Sequence, residues 1–185
     1  MSWKSSSRTA TALAQAAHSA WTRRSLPKPT TVAPSGLGCA TACARAATTG
    51  ARDSDATATE YRDRGWTTVA AHPGDVNPVP DAARIDVLLP GSEFEEASAV
   101  VGDATVDAVK VYAAADEGVE YRLVVAEDGE SSVAVCVPTY LGVAELGTLR
   151  EAAAAAGALT VRLRPLDDRD VVEIDVDDPA VFFDA

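Results

Sequence analysis

No aspartate or glutamate precedes Asp53, and a single lysine, Lys110, follows it. These two absences divide the chain. Residues 1–52 carry seven basic residues (Lys4, Arg8, Arg23, Arg24, Lys28, Arg45 and Arg52), while residues 53–185 hold all 28 acidic residues against nine basic ones. Self-repulsion on that scale weakens a compact state in dilute buffer, and molar salt screens it within about 3 Å. Because the acids are spread over every expected element, the pattern reads as solvation for a high-salt cytoplasm. A patch for cations or for a basic partner is the competing reading. Three cysteines (Cys39, Cys43, Cys136) are too few for a disulfide framework and point to a reducing interior. No apolar run approaches the roughly 20 residues that span a bilayer, so no membrane segment is expected. Also missing are a phosphate-cradling Gly loop, a zinc constellation and a Ser-His-Asp set. No cofactor and no metal are therefore expected.

What is present falls into two parts. Residues 1–52 are expected to be a disordered basic tail rich in Ser, Thr, Ala and Arg, one explanation being a misassigned start or out-of-frame translation. Within it, residues 10–21 suit one helix, and Pro27, Pro29 and Pro34 favour an extended segment. As a basic arm it would contact nucleic-acid phosphates, though thinly. Arg23-Arg24 lacks the apolar stretch of an export signal, and Cys39 with Cys43 lacks a second ligand pair for metal. Residues 53–185 are expected to form one acidic α+β domain: a mainly antiparallel sheet of about six or seven strands with two or three helices on one face.

The domain reads element by element. A first helix is predicted over 54–64, with Thr57 and Glu60 as a capping box and Gly65 as the residue that stops it. A strand follows over 66–71, then a long loop to Ala83 holding a type II turn at Pro73-Gly74. The next strand is 85–89. Ser92 is predicted to cap a helix that buries Phe94, Ala97 and Val101. A strand over 105–113 leads to a central hairpin built from 119–125 and 133–137. An odd-length loop there aligns Val125 with Val133 and sets Cys136 on the face opposite Leu123 and Val125. A helix over 143–156 presents Val143, Leu146, Leu149 and Ala153, and Gly157 ends it. A last hairpin with a loop at 167–170 aligns Leu163 with Ile174, Val161 with Val176, Arg164 with Glu173 and Arg162 with Asp175. Asp178 and Pro179 open a final helical turn that docks Phe182 and Phe183.

Candidate chemistry is sparse. His72 and Asp75 could act as a general base and its orienting partner, while a turn before Pro-Gly explains the same residues. Cys136 lies mid-strand and reads as a small structural cysteine. Asp167-Asp168 and Asp177-Asp178 do not match the spaced oxygen ligands of a calcium loop. Cross-strand ion pairs account for Arg162 and Arg164.

Seven stretches carry a resemblance: EYRDRGW at 60–66, HPGDV at 72–76, DVLLP with EFEE at 86–96, LVVAED at 123–128, RPL at 164–166, DRDVV at 168–172 and DPAVFF at 178–183. Through them the chain from about Thr59 onward resembles an uncharacterised haloarchaeal family, a domain of unknown function. The resemblance implies a halophilic cytoplasmic protein and brings no catalytic residue with it. The function expected is that of a small soluble interaction or regulatory module, with a protein partner or a homodimer formed through an exposed sheet edge. A small hydrolase using His72 and Asp75, and weak nucleic-acid binding through the basic tail, are the alternatives.

Overall fold

Strands 119–128 and 133–142 are buried at nearly every position, charged Arg122, Glu127 and Asp128 included, so both of their faces are covered. The computed structural model describes residues 38–185 apart from 103, 117 and 169, with side chains from Gly50 onward, and it supplies that cover. The readings placed on residues 1–37 lie outside the described residues, as do the side chains of Cys39 and Cys43.

The elements run α1 (Gly38–Asp63), β1 (Thr67–Ala70), β2 (Asp75–Val79), a 3₁₀ turn (Pro80–Ala82), β3 (Arg84–Leu88), α2 (Gly91–Val101) and β4 (Ala108–Asp116). They continue with β5 (Val119–Asp128), β6 (Val133–Gly142), α3 (Val143–Ala156), β7 (Leu159–Arg164), β8 (Val172–Val176) and α4 (Ala180–Phe183). The fold is α+β, but the sheet is neither single nor mainly antiparallel. Two mixed four-stranded sheets form, one in the order β1-β6-β5-β4 and the other β2-β3-β7-β8. Each contains one parallel pair, β1 with β6 and β3 with β7. Among the described residues four helices, not two or three, accompany them.

Alternation along β5 decides the layering. Val124 and Ala126 join Val135, Val137 and Val69 in the main core, which also takes Ile85, Val87, Leu159, Val161, Leu163 and Ile174 from the second sheet. Leu123 and Val125 point the other way and meet Ala134, Cys136, Ala58 and Tyr61 under α1. Helices α2, α3 and α4 complete the main core with Phe94, Ala97, Leu146, Leu149, Phe182 and Phe183. The second sheet is one-sided: β7 and β8 alternate buried Leu159, Val161, Leu163, Val172, Ile174 and Val176 with half-exposed polar residues.

Several expectations are corrected here. Helix α1 begins at Gly38, so Thr57 and Glu60 lie inside a helix and cap nothing. Strand β2 occupies much of the expected long loop. Pro78 sits in it without penalty because β2 is an edge, where a missing N–H is tolerated. Gly74 is not left-handed and forms no type II turn; its N–H donates to the Leu88 carbonyl at 2.9 Å and extends the β2–β3 pairing. Pro90, not Ser92, stands at the N-cap of α2. Val143 opens α3 but is 56 % exposed and leaves the core stripe to Leu146, Leu149 and Ala153.

Both hairpin registers move. In the first, Val125 pairs with Cys136 and Leu123 with Pro138, across a four-residue connection at 129–132. Asp128 closes that connection: its Oδ1 accepts from the N–H groups of Glu130 and Ser131 at 2.9 and 3.0 Å, and Ser132 takes a left-handed φ of 54°. Cys136 therefore shares a face with Leu123 and Val125. In the second, Val161 pairs with Ile174 and Arg162 with Glu173. Pro165 cannot donate to a ladder, so β7 stops at Arg164 and Leu166 becomes 83 % exposed loop. The slip is two residues, an even number, and the same side chains still face inward.

Candidate functional site

His72 and Asp75 are not each other's hydrogen-bond or ion-pair partners. His72 follows β1, and its neighbour Ala71 donates to the Cys136 carbonyl at 2.9 Å, which fixes the chain as it leaves the sheet. Glu93 in the first turn of α2 then takes His72 at two points. Its Oε2 accepts from the backbone N–H at 2.8 Å, and its Oε1 lies 3.1 Å from Nδ1. Nε2 lies 3.2 Å from Oδ1 of Asp55 on α1. The imidazole thus ties α1 to α2. Asp75 opens β2, is exposed, and pairs in register with Leu88.

Chemically this is half of an acid–base site. A general base needs one ring nitrogen held and the other open to substrate. Glu93 holds Nδ1 well, but Asp55 stands at Nε2. Asp55 and Glu93 were invisible in the sequence because both reach His72 only when α1 and α2 dock.

A second cluster lies between α1 and the first sheet. The Tyr61 hydroxyl donates to Oε1 of Glu127, and the Lys110 ammonium donates to the same oxygen at 2.6 Å. Lys110 Nζ also lies 3.4 Å from the Tyr61 hydroxyl oxygen. Trp66 meets the Tyr61 ring edge-on at 5.3 Å, and the Arg64 guanidinium sits 4.3 Å from its centroid. Burial and the Glu127 carboxylate hold the Tyr61 phenol protonated far above the usual tyrosine range. Burial, followed by the charges of Glu127 and Glu60, raises Tyr112 as well. The carboxylate that α1 covers thus has two donors at one oxygen, and the arrangement joins helix to sheet. Its sequence signal was a lone lysine inside the apolar strand VKVY of a lysine-poor domain.

The remaining candidates are structural. Cys136 is fully buried, and burial first, then the Glu127 charge, pushes its thiol up to about 12. Its carbonyl accepts from Ser54 Oγ on α1 at 3.2 Å. Arg162 and Arg164 reach Asp168 only at 4.0 and 3.7 Å. Asp178 accepts from the Ala180 N–H at 3.0 Å. No group of three or more His, Cys, Asp or Glu side chains able to hold a metal ion occurs among the described residues. No helix among them is long and apolar enough to cross a membrane. An open groove of ≈ 640 Å³ between α2 and β8 is lined by Phe94, Val101, Val172, Glu95 and Glu173 among others; neither His72 nor Asp75 lines it.

No curated protein and no solved structure matches the chain. One family does match, over residues 44–184, so the match starts inside α1 and closes on α4. Such a span takes in both sheets and most of the chain, which belongs to the family of unknown function (DUF7529).

Proposed function

We propose that this chain is a small soluble interaction module of a salt-rich, haloarchaeal cytoplasm, and that it works through the open edge of its first sheet. The observation that carries this reading is β4: nine residues long, at the end of the sheet, paired among the described residues with β5 alone. An edge of that length offers unpaired backbone donors and acceptors to a partner strand. The polar clusters around His72 and Glu127 serve as ties between helices and sheet. The partner is a second copy or another protein. Ala115 and Asp116 are exposed on β4, so lysine at both places charges the edge without entering the core. Co-purification from the native host in molar KCl should retain a stoichiometric partner with the wild-type chain and lose it with the Ala115→Lys/Asp116→Lys variant. Equal retention by both chains would sink the reading.

A second reading, a small hydrolase built on His72, is favoured by one geometric fact: Glu93 fixes both the backbone and Nδ1 of that residue. In this reading Asp55, 61 % exposed, swings away to open Nε2. Asp55→Ala should then raise turnover of an activated ester and His72→Ala abolish it. Identical rates for both variants and the wild type dispose of the idea. The acid-free segment up to Arg52 is, as a proposal, a basic tail on this domain; α1 enters it from Asp63 back to Gly38. Nucleic-acid binding through it predicts that removing residues 1–37 abolishes retention of DNA at low salt, and unchanged retention would exclude it.

A further inference from the structure

We infer that β4 pairs antiparallel with β4 of a second copy, about a two-fold axis at Ala113, joining two first sheets into one of eight strands. The inference rests on the interaction reading above and names its partner. It follows first from comparing the edges. Strand β1 has four residues, too few to recruit a partner strand. Strand β2 carries Pro78, which has no N–H to offer. Strand β8 alternates Glu173 and Asp175 on its outward face and runs on to Asp177 and Asp178, so a second acidic copy is repelled there. Each edge has a different protection. Strand β4, Ala-Val-Lys-Val-Tyr-Ala-Ala-Ala-Asp, has no proline and no acid before its last residue.

Charge complementarity selects both the second copy and the register. Centring on Ala113 sets Lys110 opposite the second copy's Asp116, and by symmetry does so twice. Tyr112 then faces Ala114 and Val111 faces Ala115, a ring and a branched side chain each against a small one. Centring one residue earlier would stack Tyr112 on itself and spend Asp116 against Ala108. Lys110 and Asp116 lie on the same face of β4, the face toward α1, because an even number of residues separates them. The Lys110 side chain is 27 % exposed beside Glu127, which leaves its ammonium open to a second carboxylate. Each copy carries a net charge of −12, so molar salt favours the pairing by screening repulsion between copies.

Light scattering on the full-length chain in molar KCl should read twice the 19.1 kDa of one chain. Asp116→Lys should raise the dissociation constant about tenfold or more, since two opposite-charge pairs become like-charge pairs. In a Cys39→Ser/Cys43→Ser background, Ala113→Cys should form a disulfide-linked dimer under mild oxidation, while Ala115→Cys, opposite Val111, should not. A dimer that ignores Asp116→Lys and fails to cross-link through residue 113 overturns the proposal. So does a monomer at every concentration up to the solubility limit. A monomer that still retains a host protein in an Asp116-dependent way overturns self-pairing and leaves the interaction reading standing; one that retains none removes both.

Discussion

Arg122 is the residue on which the C-terminus closes. It is buried on β5, donates from Nε to the Phe182 carbonyl at 3.0 Å, and donates from Nη1 to Glu120 at 2.9 Å and to the Tyr121 carbonyl at 3.1 Å. Removing the cation strands those acceptors, which for a buried charge pair costs about 3 kcal/mol. Arg122→Met should lower stability by that amount in thermal melts run in molar KCl, and a loss below about 1 kcal/mol would show that the contacts are incidental. Asp128 is a second such residue. Burial opposes its charge, but hydrogen bonds from Ser131, Thr105 and Glu130 outweigh that and hold its carboxyl below the ordinary value of 3.8. A depressed folded pKa means stability that is complete above about pH 4 and lost as pH falls through the folded value. Asp128→Asn should therefore flatten the acid limb of a stability-against-pH curve; an unchanged limb would assign acid sensitivity elsewhere. Cys136 gives a third test. With Cys39 and Cys43 replaced by Ser, the remaining thiol should stay unreactive toward an alkylating reagent at pH 8 until denaturant is added, because it is fully buried and protonated there.

At the scale of elements, α1 is held to the first sheet by a few specific contacts. Ser54 reaches the Cys136 carbonyl, Tyr61 reaches Glu127, and Arg62 donates to the Thr68 carbonyl at 2.7 Å. Tyr61→Phe deletes one donor to Glu127 and should cost about 1–2 kcal/mol, while Lys110→Met deletes the cation and should cost more, about 3 kcal/mol. Urea titrations in molar KCl order the two, and the reverse order would contradict the geometry. Element identity was readable where it depends on local pattern. The 3.6-residue spacing of Leu146, Leu149 and Ala153 and the stop at Gly157 are local facts, and the structure keeps them. Strand pairing was not readable where it depends on what covers a face. The expected register for β5 and β6 aligned Val125 with Val133 so that the larger apolar residues of both strands shared one face. Helix α1 buries the second face, so the choice passed to Asp128 and the turn it closes. The partners of His72 were hidden for the same reason, since Asp55 and Glu93 arrive on separate helices.

At the scale of the whole molecule, the parallel pairs explain why the sheets were read as one. Strand β3 and its parallel partner β7 are separated in the chain by α2, by β4, β5 and β6, and by α3; no local alternation of strand and helix announces such a pairing. Charge, in contrast, is legible without any structure. From Asp53 onward 28 acids face nine bases, and the structure sets Asp86, Glu173 and Asp175 along the half-exposed face of the second sheet, with Arg84 and Arg162 among them. Pairs such as Arg84 with Asp86 at 2.7 Å offset part of the repulsion, but nine cations cannot offset 28 anions. The Debye length grows from about 3 Å in molar salt to about 30 Å at 0.01 M, so in dilute buffer every acid on the domain senses the others. Unfolding separates them, so low ionic strength favours the unfolded chain. The full chain should therefore lose its far-UV circular dichroism on dialysis from molar KCl into dilute buffer and regain it when salt returns. Sucrose at equal osmolality should not replace the salt, because the relevant quantity is ionic screening. Full signal retained in dilute buffer would remove the halophilic reading, and with it the expectation that pairing through β4 strengthens with salt.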